Sequence, residues 1–288
     1  MNFGRAKTIL IYIFLFVNIF LLVVYNLFYE KQNTVNPDTA IDLLNKNNIT
    51  VERSLIENFS SKLEGVEIDN LAVNEEKIAS LFLGKPYTSP RAHYYTKEGE
   101  TLEIIDLSVD YKILNPKDKA YKDASSLNIG NKVLKTLLKK GIGNSVLEVA
   151  NISDNKNGSF FVTLMYKYND YPVFNNNLHA TAGLTGLTSV KGTVVSFKKL
   201  KDVEYSITPT ANILLELLSN GDLKSEFPEA KVTSVRLGYY LPLGKTEASI
   251  YAIPAYEIEI NSKKVYFYDA REKITSDAVL LGSKNITK

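Results

Sequence analysis

The sequence predicts an α+β chain: a single N-terminal transmembrane helix, then an ectodomain of two lobes, each an antiparallel β-meander sheet packed by helices. Three observations predict it. Residues 9–29 form one uninterrupted uncharged apolar stretch, short segments beyond it alternate apolar and polar residues with period two, and apolar stripes at helical spacing stand between those segments. Helices gathered on one face of antiparallel sheets bury both kinds of apolar surface.

The first element is residues 9–29, ILIYIFLFVNIFLLVVYNLFY, in which Asn18 and Asn26 are the only polar amides. At about 1.5 Å per residue this helix reaches roughly 31 Å, which matches a hydrocarbon thickness of about 30 Å. A cleavable signal peptide is the competing reading, but its apolar region is shorter and Asn26-Leu-Phe-Tyr-Glu-Lys-Gln offers no small-x-small cleavage site. Arg5 and Lys7 against Lys31 put residues 1–8 in the cytoplasm and the rest outside the cell, anchored in the cell membrane. Tyr25, Phe28 and Tyr29 then fall at the outer interface, with Phe3 near the inner one.

Residues 30–36 read as a linker. The first lobe, residues 37–120, starts with Asn36 as N-cap and Pro37 at the first helical position, followed by Ala40, Ile41, Leu43 and Leu44. A strand is expected at 49–56. Asn74, Glu75 and Glu76 open a second helix that Gly84 closes, and strands 92–96 and 102–114 flank Lys97-Glu-Gly-Glu as a hairpin. The polar stretch 115–123 marks the lobe boundary.

The second lobe, residues 121–288, opens with a helix capped by Ser125 or Ser126 and stopped at Gly141. Strands at 146–152, 159–168, 171–182 and 192–200 follow. Thr208-Pro209 begins another helix that Asn220-Gly221 ends, and strands at 232–241, 248–260 and 264–270 complete the pattern. Helix followed by meander therefore occurs at 125–200 and again at 208–270, as in a duplicated unit. Pro254 cannot donate to a ladder, so its strand is expected at an edge or bulged.

Composition excludes several function classes. There is no cysteine, which removes disulfide frameworks, zinc–thiolate sites and cysteine nucleophiles together. Setting aside Arg5, Lys7 and Glu30 leaves 32 basic and 31 acidic residues, a balance that gives no electrostatic reason to bind nucleic acid. The two histidines, His93 and His179, fall in different lobes and read as packing residues of strands, so no metal or cofactor is expected. Glu257 and Glu259 share one side of a strand at a spacing an acid pair could use, but on an edge strand two acids are ordinarily solvated. No catalytic residues emerge, and the chain reads as a non-enzyme. Asn18 is the candidate contact for a partner helix, since an amide in hydrocarbon gains from a matching group on a neighbour; satisfaction by its own helix backbone is the alternative.

Several stretches together resemble the YycI (WalI) family. They are Lys7-Thr8-Ile leading into Phe14-Leu…Asn18-Ile-Phe-Leu; Asp170-Tyr-Pro172-Val-Phe174-Asn175-Asn176; Gly238-Tyr239-Tyr; Ile253-Pro254-Ala-Tyr256-Glu-Ile; and Val265-Tyr-Phe-Tyr-Asp269-Ala270. Two departures, Phe3 where relatives tend to carry Trp and Ala255-Tyr256 where an aromatic often stands one place earlier, make the relation distant. The resemblance implies a single-pass regulator of the YycG/WalK two-component sensor histidine kinase that controls cell-wall metabolism in Gram-positive bacteria. It implies action with a YycH-like partner through transmembrane and extracellular contacts. An anchored ectodomain that binds cell-wall polymer or peptide without a kinase is the alternative, and a surface hydrolase a more distant one.

Overall fold

The structure, a computed structural model, describes residues 3–32, 35–56, 59–118, 121, 126–143, 146–155, 158–242, 248–272 and 279–286. Outside them lie Ser125, Lys156, Asn157 and parts of the expected linker and lobe boundary; the side chains of Phe3, Thr8, Tyr25, Phe28 and Tyr29 are likewise outside. The chain forms two compact units: residues 1–59 with 209–232, and residues 60–208 with 233–288. Residues 115–118 fall inside the second unit.

In the first unit, α1 (Phe3–Gln32) precedes α2 (Pro37–Lys46). Asn36 caps α2 as the sequence requires, its Oδ1 accepting from Asp38 N at 2.9 Å. Ala40 and Leu44 on its inner face are fully buried. The strand expected at 49–56 shrinks to β1 (Ile49–Thr50) and a 3₁₀ turn at Arg53–Leu55. β1 pairs parallel with Ala230 and Lys231.

The second unit begins with β2 (Lys62–Asn70), α3 (Glu75–Leu83), β3 (Thr88–Arg91), β4 (Tyr94–Lys97), β5 (Glu100–Ile105) and β6 (Ser108–Ile113). Next come α4 (Ser126–Lys139), β7 (Leu147–Asp154), β8 (Ser159–Tyr168), β9 (Tyr171–Gly183), β10 (Gly186–Gly192) and β11 (Val195–Ser206). The chain returns to the first unit for α5 (Thr210–Leu215) and α6 (Gly221–Glu226), where α5 packs on α2 and buries Ala211, Ile213 and Leu214. The last strands are β12 (Ala230–Tyr240), β13 (Ser249–Tyr251), β14 (Ile253–Ile260), β15 (Lys264–Asp269) and β16 (Leu280–Asn285).

The long sheet of the second unit runs β16-β15-β14-β12-β9-β10-β6-β5-β4-β3, with β8 on β9 and β7 on β8. A smaller sheet runs β11-β2-β13. Three hairpins turn on two residues with positive φ: Glu98-Gly99, Asp106-Leu107 and Asn169-Asp170. That is the conformation a two-residue turn needs to match strand twist. On α4, Ile129, Val133 and Leu137 are fully buried and the helix packs on β7 and β8. Gly130 permits the approach, because a Cβ there would stand 2.8 Å from Ile152 Cδ1.

Three expectations are corrected. The fold is mostly sheet, 48% strand against 29% helix, and not an α+β pair of meander lobes. Long-range pairing is the reason: β12 meets β9 in parallel, Tyr239 opposite Val173, joining strands that the sequence keeps in separate meanders. Among the described residues no helix is long and apolar enough to cross a membrane, which overturns the transmembrane helix at 9–29. The described apolar side chains of α1 cover residues 11–24, about 21 Å of helix against roughly 30 Å of hydrocarbon. Finally, of the two placements expected for the Pro254 strand, an edge or a bulge, the edge is overturned, because β14 lies between β15 and β12. Pro254 is accommodated beside the ladder start, its carbonyl accepting from Ala270 N at 2.8 Å.

Candidate functional site

The site begins with a fault in β9. Its residues alternate between buried and half-exposed from Phe174 to Gly183, but not over the three residues before; Asn175, at φ 63, breaks the ladder, and the pairing with β8 slips between Met165 and Lys167. Asn tolerates this left-handed conformation because its short side chain can bond locally, and here Asn175 Nδ2 donates to Leu241 O at 3.4 Å. The irregularity leaves Asn176 on the inner side at 6% exposure, with no partner for Nδ2 among the described residues. Asn177 and His179 then fall on the half-exposed face.

These residues border a cleft of about 690 Å³ between faces of the two sheets of this unit. On the long-sheet side, Asn151 stands opposite Thr163, and Thr163 opposite His179, in one row across β7, β8 and β9. Arg236 on β12, Glu257 and Glu259 on β14, and Lys284 on β16 continue the polar lining. Ile68 on β2 and Ile250 on β13 supply apolar wall from the smaller sheet. The volume falls within the range of about 300–1,000 Å³ usual for ligand sites.

One cation and one carboxylate of the lining form an ion pair. Arg236 Nε donates to Glu257 Oε1 at 2.9 Å, and Nη2 reaches the same oxygen. Glu259 Oε1 accepts from Thr233 Oγ1 at 2.8 Å. His179 stacks on Phe161, centroids 5.4 Å apart and planes 18° from parallel, and its Nδ1 lies 3.4 Å from Thr163 Oγ1. Burial, then the positive charge of Lys284, lower its pKa and favour the neutral ring. Two cations and two carboxylates leave the lining without net charge, suited to an uncharged hydrogen-bonding ligand. No group of three or more His, Asp or Glu able to hold a metal occurs among the described residues.

Residues that carry the sequence resemblance meet in the second unit. Gly238 crosses β9 so closely that a Cβ would stand 2.9 Å from the Phe174 ring and nearer still to the Pro172 carbonyl. Tyr239 donates to Glu64 O and Tyr256 to Thr208 O, both at 2.9 Å. Asp269 is 2% exposed and takes a two-pronged bond from Arg271, Nη2 to Oδ2 at 2.7 Å. Ala270, fully buried, docks on Pro254 through its backbone N–H. These residues build the strands that present Asn175 and Asn176. Lys7 lies exposed on α1, apart from this cluster in sequence and unit. Asn18, also on α1, donates Nδ2 to Phe14 O at 2.8 Å, the bond within its own helix.

Sequence reasoning missed Asn151, Asn177, Arg236 and Lys284, since isolated polar residues on strands carry no motif. It placed Glu257 in solvent, whereas the residue is 6% exposed. His93 is not a strand residue: it sits at φ 60 in the β3–β4 turn, Nδ1 2.6 Å from Glu75 Oε1.

No family model and no curated protein matches the chain. Among solved structures it is similar to an uncharacterized protein from Eubacterium rectale ATCC 33656, with 12% identity over 82% of this chain and 85% of that one, at a TM-score of 0.45. A likeness of that size assigns neither fold nor function.

Proposed function

We propose that the chain is a non-catalytic regulatory protein of the YycI kind, acting at the cell membrane on a YycG/WalK-like sensor histidine kinase together with a YycH-like partner. The observation that carries the reading is α1. From Ile11 to Val23 every residue except Asn18 is an exposed large apolar side chain, between 44% and 70% accessible. A continuous apolar surface of this kind marks a contact with lipid or with another apolar helix. The meeting of Pro172, Phe174, Gly238, Tyr239, Pro254 and Tyr256 on neighbouring strands supports the resemblance from a second direction. Regulation then follows from differential contact: a partner bound more tightly to one kinase state shifts the kinase toward it.

Crosslinking in membranes followed by affinity purification tests this. The expected result is a kinase and a YycH-like protein recovered with the intact chain and lost when α1 is removed. Recovery of neither from crosslinked membranes would overturn the reading.

A further inference from the structure

We infer that the cleft of the second unit is a binding site for a short peptide segment in extended conformation. The inference rests on the cleft alone and stands whether or not a kinase is the partner. Three properties of the lining point to it. Asn151, Asn177 and Asn285 present side-chain amides from β7, β9 and β16 with no hydrogen-bond partner among the described residues. Each amide offers donors and an acceptor at once, which is the complement of a peptide group. Asn176 adds a buried Nδ2 with no partner at the border of the same cleft, and an unsatisfied buried donor is what a binding site carries when its ligand is absent.

The second property is position. β13 and β16 each end their strand order and contribute Ile250 and Lys284 with Asn285 to the cleft, so an extended segment can run beside a sheet edge. Main-chain bonds give such a segment its affinity and the intervening side chains its specificity. Ile68, Ile250 and Val195 form the apolar wall that alternate side chains would meet.

The third property separates peptide from saccharide. Apart from His179, whose ring is stacked on Phe161, no aromatic side chain lines the cleft among the described residues. A sugar would therefore find no open aromatic platform. The balanced charges, Arg236 on Glu257 with Lys284 and Glu259 nearby, argue against a polyanionic chain.

The test uses the full chain in detergent and a library of end-blocked hexapeptides of randomised sequence, with chitotetraose as the saccharide arm. Saturation-transfer NMR reads binding. The expected result is transfer to peptides, weakened about ten-fold by Asn151→Ala with Asn177→Ala, the loss of two neutral hydrogen bonds. Asn151 is exposed and Asn177 half-exposed, and an unchanged melting temperature certifies the fold. Asn285→Ala on exposed β16 provides an independent variant with the same expected direction. Transfer to chitotetraose alone, transfer to neither probe, or peptide transfer indifferent to all three substitutions would each overturn the assignment.

Discussion

Arg236 on β12 holds Glu257 on β14, Nε to Oε1 at 2.9 Å, and leaves the carboxylate 7% exposed while the guanidinium stays 47% exposed. The pair is therefore asymmetric. Water can still solvate the cation, but the anion depends on the protein.

Truncating the cation should cost more than neutralising the anion. Arg236→Leu strands a buried carboxylate and should lower stability by about 2 kcal/mol, somewhat under the 3–5 kcal/mol of a fully buried pair. Glu257→Gln keeps the shape and removes the charge, so about 1 kcal/mol is expected. Urea unfolding of both variants checks the order. The double variant Arg236→Leu with Glu257→Gln should recover part of the Arg236→Leu loss, since no charge is then left stranded, and a loss equal to the sum of the two single variants would contradict the dependence of the carboxylate on Arg236.

Asn176 should behave in the opposite sense to an ordinary buried polar residue. Its Nδ2 has no partner among the described residues, so Asn176→Leu removes an unmet desolvation cost of about 1–3 kcal/mol and should leave the free protein as stable as before or more so. Thermal melts measure this. A loss above about 1 kcal/mol would reveal a bond that the amide makes in solution.

Gly238 is a packing constraint and not merely a motif letter. A methyl group would meet the Phe174 ring at 2.9 Å as well as the backbone of Pro172, and overfilling of this kind costs about 1–3 kcal/mol. Gly238→Ala should loosen the parallel contact of Tyr239 with Val173, seen as faster amide exchange there than in the β5–β6 hairpin.

Much of the local structure was legible in the sequence, because its causes are local. Asn36 before Pro37, Asn74 before Glu75-Glu76, and the alternation Phe160, Val162, Leu164, Tyr166 each specify their element within a few residues. What escaped is set by distant pairing. β2 falls in residues 57–73, which read only as mixed strand and loop, because Gly65 interrupts the pattern; its bare backbone lies against Val203 of β11, with a would-be Cβ 2.8 Å from Val203 Cβ. Glu257 looked solvated because nothing near it in sequence announces that β12 will cover one side of β14 and β15 the other. The cleft had no signal at all, since Asn151, Asn177 and Arg236 converge only through the strand order.

The pH dependence from His179 has a defined sign. Burial first and Lys284 second depress its pKa below the ordinary value of about 6.5. Above that value both folded and unfolded rings are neutral and the group contributes nothing. As pH falls through 6.5 the unfolded chain takes the proton first, so stability declines until the folded value is reached. Lys284→Gln should raise the pKa only part of the way back, because burial is the larger cause; a ring titration by NMR reads this, and a complete return to 6.5 would refute the ranking.

Removing residues 1–32 should leave the folded units intact. The described apolar side chains of α1 from Ile11 to Val23 are all exposed, so their deletion takes away no core. The contacts that seat the next helix lie beyond the cut: Val35 N donates to Asn212 Oδ1 at 3.0 Å, and Asn36 caps α2. The expected unfolding free energy from urea titration is unchanged, within about 0.5 kcal/mol, as for substitutions on a free surface. The same deletion should abolish self-association in water, because the apolar run of α1 is the continuous surface that would drive it. Sedimentation with a parallel melt separates the two effects. A truncated chain that melts without cooperativity would mean that α1 contributes to a core, and one that still associates would place the adhesive surface elsewhere, with Leu114, Leu184 and Tyr251 the exposed apolar side chains to replace next.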